Sequence, residues 1–264
     1  MKNIFVLFMS LILFFAAVDK APALKENLIT ITILYDNYVF REGMKADWGF
    51  SCMIKGTEKT ILFDTGTKSE ILFHNINRLK VNPKDVELVA ISHNHGDHTG
   101  GLFSFLDKNN KVSVYLPVSF PDSFVKRVEE KKAKVVRVSE PVEIGEDVFL
   151  TGEMGDRIKE QFLILNTSRG LVVITGCAHP GIVEIVKKAK EIIDRKIYLV
   201  LGGFHLLAKS EAEVKEIINE FREMGVLKVG ATHCTGDKAI ELFKKAYGQN
   251  FVQMGVGKVI EVRD

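Results

Sequence analysis

Three cysteines, Cys52, Cys177 and Cys234, are all that 264 residues contain, too few and too scattered for a disulfide framework. Charge of one sign is equally scarce. A formal net charge of +2 is too small to argue for a nucleic-acid partner, and none is expected; short basic runs such as Lys131-Lys132 read as solvated helix faces. No internal repeat, linker-grade stretch or glycine-rich phosphate loop with its lysine is present. The apolar and charged fractions, 46% and 27%, exclude a disordered or fibrous chain. The uncharged apolar run over residues 4–18 falls short of the about 20 residues that span a bilayer as a helix.

That run has a context. Met1-Lys2-Asn3 precedes it and Asp19-Lys20-Ala21-Pro22-Ala23 follows it: a positive start, a short apolar stretch and an Ala-x-Ala site, as in a secretory signal. Cleavage after Ala23 is expected, giving a periplasmic or extracellular protein. If uncleaved, the segment would be a membrane anchor, the one membrane contact foreseen. Residues 24–264 are read as one domain.

Within it, strand-like and helix-like stretches alternate. Residues 28–34 alternate apolar side chains with threonine, as a half-buried strand does. Residues 49–54 and 59–63 flank a hairpin turn at Lys55-Gly56-Thr57-Glu58, and residues 68–79 have helical spacing. Residues 86–92 read as a buried strand. A helix is expected near His98, then strands at 112–116, 135–138, 148–151, 161–166 and 171–175, with a helix at 121–132. Thr167-Ser168-Arg169-Gly170 joins two of these strands as a turn. Further on, helices at 180–193, 211–224 and 237–247 alternate with strands at 197–201 and 226–231, and two short strands close the chain. The pattern predicts an α/β fold of two mixed sheets with helices outside.

The chemistry is concentrated where the buried strand at 86–92 ends, in His93-Asn94-His95-Gly96-Asp97-His98. Imidazole and carboxylate suit zinc and similar divalent ions, and a His-x-His pair can chelate one ion from a single loop. Asp97 and His98 could face a second. Three more histidines each follow a strand and precede a helix or loop: His179, His205 and His233. Strand C-terminal ends are where layered α/β folds assemble sites, so these stations point to one common metal site. His74 lacks that context and reads as a surface or packing residue. Cys177 and Cys234 lie within two residues of these histidines and read as near-site residues or small buried hydrophobes.

The loop, preceded by Leu62-Phe63-Asp64-Thr65-Gly66 and followed by Gly176-Cys177-Ala178-His179 and Thr232-His233-Cys234, resembles the metallo-β-lactamase fold superfamily over nearly all of residues 24–264. The resemblance implies a four-layer αββα sandwich with a metal site at the edge between the sheets. It implies two divalent ions, Zn²⁺ first and Mn²⁺ or Fe²⁺ as alternatives. His93, His95 and His179 would hold one ion, Asp97, His98 and His233 the other, with Asp64 orienting the loop. Many dinuclear relatives carry a bridging aspartate between the last two stations. This chain has Gly202-Gly203-Phe204-His205 there, so His205 would be a replacement ligand or a substrate contact. Together with Asp36-Asn37 and His98-Thr99-Gly100-Gly101, these motifs resemble the branch labelled dihydropterin-ribofuranosylaminobenzene-phosphate synthase-like, a dihydropteroate synthase-like group.

The expectation is a metallo-hydrolase acting on a small molecule through a metal-activated water, with Asp97 as ligand and proton acceptor and His205 as general acid. A synthase of the branch's kind, condensing a pterin pyrophosphate with a ribofuranosylaminobenzene phosphate, is the alternative. A non-catalytic metal-binding protein and a β-lactamase rank lower. A redox diiron centre is disfavoured because such relatives carry glutamate where this chain has His95. The motifs carry no sign of oligomeric state.

Overall fold

The computed structural model describes residues 28–263, so the expected signal over residues 1–23 lies outside the described residues. Among those described, no helix is long and apolar enough to cross a membrane. The described residues form thirteen strands in two sheets. The first holds β1 (Leu28–Tyr35), β2 (Ser51–Lys55), β3 (Ile61–Phe63), β4 (Leu88–Ala90), β5 (Ser113–Pro117) and β6 (Lys134–Val138). The second holds β7 (Val142–Gly145), β8 (Val148–Leu150), β9 (Leu163–Thr167), β10 (Gly170–Thr175), β11 (Ile197–Gly203) and β12 (Lys228–Thr232). A last strand, β13 (Val259–Arg263), returns to the first sheet beside β1.

The period-2 pattern of β1 explains its place. Ile29, Ile31 and Ile33 are buried and join Ile54, Phe63, Leu163, Leu165, Val172, Ile174 and Leu201 in the layer between the sheets. β10 is buried at every position because both its faces are covered: Val172 and Ile174 face the other sheet, while Leu171 and Val173 face helices. Those helices are α5 (Ile182–Ile192), α6 (Glu211–Glu223) and α7 (Asp237–Tyr247); α1 (Ser69–Arg78), α3 (Leu102–Leu106) and α4 (Asp122–Glu130) cover the first sheet, and α2 (Gly96–Thr99) lies in the histidine loop. Each fully buried Leu, Ile or Phe contributes about 1.5–3 kcal/mol, so the three apolar layers hold an αββα sandwich together. Ser210 caps α6: its Oγ accepts from Glu213 N, and Glu213 accepts in return from Ser210 N at 2.8 Å, a reciprocal cap that stops fraying.

Strand direction positions the chemistry. β3, β4, β5 and β6 run parallel, and so do β10, β11 and β12. Asp64 follows β3, His93 follows β4 closely, and residues 176–179, 204–205 and 233–234 follow β10, β11 and β12. The carboxyl ends of parallel strands from both sheets thus meet at one edge.

Two local expectations differ from the structure. One strand closes the chain where two are expected, because Phe251 and Val256 make only isolated bridges, to Val229 and Val39. β7 has no counterpart in the predicted elements. It is a four-residue edge strand with Val142 and Glu143 exposed; its alternation rests on only two apolar residues, Val142 and Ile144, too short a run to stand out as a strand.

Candidate metal centre

Asp64 organises the edge. Its Oδ1 accepts from Ser92 N at 2.7 Å and its Oδ2 from Ser92 Oγ at 2.8 Å. The same Oδ2 lies 2.8 Å from His98 Nδ1, and all three residues are fully buried. One carboxylate therefore ties the end of β3 to both ends of the histidine loop. Gly176 opposes it across the edge: a Cβ there would lie 2.2 Å from Ser92 Oγ and 2.9 Å from Asp64 Oδ2, so only glycine lets β10 approach this closely.

The ligand-type atoms of His93, His95 and His179 lie within 4.8 Å of one another, with His93 Nε2 3.0 Å from His95 Nδ1. A second group beside it joins Asp97, His98, Cys177 and His233. There Asp97 Oδ2 is 3.5 Å from His98 Nε2 and 3.3 Å from His233 Nε2.

The rings are held from behind. His98 Nδ1 is on Asp64, His179 Nδ1 is 2.8 Å from Glu160 Oε2, and His233 Nδ1 is 2.9 Å from Asn37 Oδ1. The Ser92 hydroxyl has given its single proton to Asp64, so His93 Nδ1, 2.9 Å away, is the donor in that pair. In each of these four rings one nitrogen is spent outward and Nε2 is left facing the centre. That is how outer partners orient imidazoles for a metal.

Burial and charge set the protonation. Desolvation, followed by the neighbouring His98, pushes His93 well below the ordinary imidazole value, and burial with His179 lowers His95; both are neutral, the form that binds metal. Burial would also lower His98, but the carboxylates of Asp64 and Asp97 outweigh it and raise it to about 10. Desolvation raises Asp64, a rise that His98 reduces but does not cancel. Asp97 resists its own burial through His233 and His98 and is held well below the usual carboxylate range.

A domain match to the metallo-beta-lactamase superfamily spans residues 49–182, the stretch carrying Asp64, the histidine loop, Cys177 and His179. The chain belongs to the metallo-β-lactamase superfamily. It is 30% identical over 285 aligned positions to the 7,8-dihydropterin-6-methyl-4-(beta-D-ribofuranosyl)-aminobenzene-5'-phosphate synthase of Methanocaldococcus jannaschii, covering 89% of this chain and 97% of that one. An uncharacterized protein of the same organism is 32% identical over 267 positions, covering 88% and 100%. Among solved structures, Tm1679, a metal-dependent hydrolase of the beta-lactamase superfamily, superposes with a TM-score of 0.77 at 31% identity, covering 89% of this chain and all of that one.

In this metallo-β-lactamase-fold chain, six of the expected ligands fall into the two adjacent groups and Asp64 lies behind them. His205 stands apart from the Asp97 group. It is exposed, has φ 54°, lies with its ring tilted 43° against that of His179 at a centroid distance of 4.4 Å, and groups with Cys177 and Cys234; the contact with Cys234 raises its pKa. His74 meets the Gly43 carbonyl at 3.0 Å, a packing contact away from the centre. Asp64, Ala178 and His233 also have φ between 51° and 67°, a left-handed backbone that costs roughly 1–2 kcal/mol per residue. Such strain persists only where surrounding contacts over-determine it.

Sequence reading missed Glu160. It is fully buried, accepts from the backbone N–H groups of Cys177, Ala178 and His179 at 2.7–3.0 Å, and also holds the His179 ring. Burial would raise it, yet His93 and His179 bring it down to about 2. Nothing in its local sequence marks it, because its partners lie 17 to 19 residues away. Trp48 was missed too: the half-exposed indole donates to Asp97 Oδ2 at 2.9 Å and tilts over His233 at 5.0 Å.

The donor set fits divalent ions. Imidazoles, His93 and His95 among them neutral, and one ionised carboxylate converge from fixed directions, with the carboxylate and imidazole chemistry zinc-type ions take. A cavity of about 740 Å³ opens nearby between the residues after His205 and those after Cys234, lined by Leu206, Leu207, Thr235, Asp237, Lys238 and Lys245 among others. None of the side chains of these histidine, cysteine and Asp97 groups lines it, so it neighbours the centre without containing it.

Proposed function

We propose that this chain is a metal-dependent hydrolase of a small-molecule substrate, with two divalent ions, Zn²⁺ in first place, at the two adjacent groups. The carrying observation is the inward convergence of Nε2 atoms whose rings are each anchored at Nδ1. His93, His95 and His179 would hold one ion; Asp97, His98 and His233 would hold the other. When bound, such ions acidify a water and polarise a scissile carbonyl or phosphoryl oxygen. The chain's own residues do the rest. Asp64 and Glu160 keep the ligand rings in register. Asp97, held deprotonated by His98 and His233, suits a ligand better than a proton acceptor. His205, exposed beside His179 and raised by Cys234, is placed to give a proton to a leaving group. The neighbouring cavity lies in the size range of small-molecule pockets, about 300–1,000 Å³.

His95→Ala should remove one metal equivalent and nearly all turnover. Elemental analysis with a screen of phosphodiester, thioester and lactam substrates tests this, and a variant with full metal and full turnover would sink the reading.

A second reading is favoured by the 30% identity to the M. jannaschii synthase over 97% of its length: condensation of a pterin pyrophosphate with a ribofuranosylaminobenzene phosphate, for which ions held by the same residues would supply the positive charge a pyrophosphate leaving group needs. Incubation with that substrate pair separates the two. Condensation product favours the synthase; its absence alongside hydrolysis in the screen favours the hydrolase. Export after cleavage at Ala23 remains part of the proposal, and N-terminal sequencing of the secreted protein would test it.

A further inference from the structure

We propose that Cys177 supplies a thiolate to the ion held by Asp97, His98 and His233, which makes the second site of this chain a nitrogen, oxygen and sulfur site selective for a borderline-soft ion such as Zn²⁺. The inference rests on the two-metal reading above and sharpens it.

Cys177 Sγ lies 3.2 Å from His98 Nε2 and 3.4 Å from His233 Nε2. Those two nitrogens are the inward ones, since Asp64 and Asn37 occupy the opposite edges of the rings. With an Asp97 carboxylate oxygen, the four ligand atoms fall within 4.8 Å of one another, the set a four-coordinate ion needs. Cys177 does not drift into this position: its backbone N–H donates to Glu160 Oε1 at 2.7 Å. The carboxylate that aims His179 at the first ion therefore also aims Cys177 at the second. The segment 202–205 carries no carboxylate, so the thiolate would be the second anionic donor of this group, beside Asp97.

The other cysteines do not compete. Cys52 is buried in the layer between the sheets. Cys234 groups with Cys177 and His205, not with Asp97, His98 and His233. Binding is a simple exchange. The Cys177 S–H bond breaks as the sulfur–metal bond forms, and the proton passes to solvent. A thiolate among two imidazoles and a carboxylate favours Zn²⁺ over the oxygen-preferring Mn²⁺.

The test uses the full chain, freed of metal with a chelator and titrated with Co²⁺ or Zn²⁺. Wild type should take two equivalents of cobalt, and one of them should bring a near-ultraviolet thiolate-to-cobalt charge-transfer band. X-ray absorption of the zinc form should show sulfur at about 2.3 Å beside nitrogen and oxygen at about 2.0–2.1 Å. Cys177→Ser should lose the band, keep the visible cobalt bands of the His93, His95 and His179 site, and bind the second equivalent more weakly by more than the roughly 10–100-fold expected for losing a group that only orients a ligand. Cys234→Ser should keep the band. Two bound equivalents with no band and no sulfur scatterer in wild type overturn the proposal and leave the two-metal reading intact. Loss of the band in Cys234→Ser but not in Cys177→Ser also overturns it. Binding of no metal overturns both readings. Should Cys177→Ser fail to fold, the wild-type sulfur shell decides.

Discussion

An imidazole can point one nitrogen at a metal only if something else holds the other, and at this centre the holders are two carboxylates, an amide and a hydroxyl. Asp64, Glu160, Asn37 and Ser92 take the outer nitrogens of His98, His179, His233 and His93. Glu160 has the heaviest load, because it also accepts from three consecutive backbone N–H groups. Glu160→Gln replaces one acceptor oxygen with a donor facing those N–H groups. The change should cost about 3 kcal/mol or more of stability, since it leaves buried donors without partners. Zinc affinity should fall roughly 10–100-fold through the loosened His179. Urea unfolding and chelator competition measure the two effects; an unchanged zinc affinity would show that His179 does not need its anchor. Asp64 was legible beforehand through the resemblance carried by Leu62-Phe63-Asp64-Thr65-Gly66, whereas Glu160 acts across the fold and has no motif of its own. Cys177 was legible only as a neighbour of His179; that its sulfur faces His98 and His233 depends on how β10 meets β4.

At the scale of elements, the decisive contact is between strand ends from different sheets. Gly176, one residue past β10, lies against Ser92 and Asp64 at the ends of β4 and β3. Gly176→Ala would push its methyl into the Ser92 hydroxyl and so break the pair of bonds that fixes the histidine loop. Overpacking of this kind costs typically 1–3 kcal/mol, and the loosened loop should bind zinc roughly 10–100-fold more weakly. Denaturation midpoints and zinc competition on the same variant decide whether the two losses go together; lost stability with intact zinc binding would mean that the sheets are not coupled through this residue. Such strand ends explain why the fold was readable. Buried strands as uniform as β10, and helices with clear apolar faces such as α6 and α7, declare themselves by period. β7 does not, because four residues with two apolar positions are too short a run to show a period, and the region around Phe251 and Val256 makes single bridges that no periodic signal announces. The histidine stations were readable for a different reason: each follows a strand directly, so one-dimensional order already encodes convergence at one edge.

For the whole molecule, the same buried charges make stability depend on pH and on metal together. In the metal-free protein His98 titrates at about 10 against 6.5 unfolded. The folded form therefore keeps a proton that the unfolded chain loses, and stability falls as pH rises through that window. Asp36, buried under the Thr232 hydroxyl, is raised by desolvation from 3.8 to about 7, so it adds a fall over that lower range. Glu160 works the other way: with a folded value of about 2 against 4.5, its contribution is present above 4.5 and lost as pH drops towards 2. His93 and His95, held below the ordinary imidazole value of 6.5, add a rise up to that pH which offsets the Asp36 fall, so the metal-free protein should be most stable near about pH 6–7 and weaken from there towards about pH 10. On the proposed two-metal reading, zinc would change the sign of the His98 effect, because binding would require that ring to give up its proton. Metal affinity should rise by up to about tenfold per pH unit below the His98 value, so the melting temperature gained on adding zinc should widen from about pH 5 to about pH 9. Thermal unfolding of chelated and zinc-loaded protein across that range reads both trends, with His98→Gln as the control that should flatten the alkaline fall of the chelated form. A chelated wild type with no alkaline fall, or a His98→Gln curve that retains it, would assign the pH dependence to groups outside this centre.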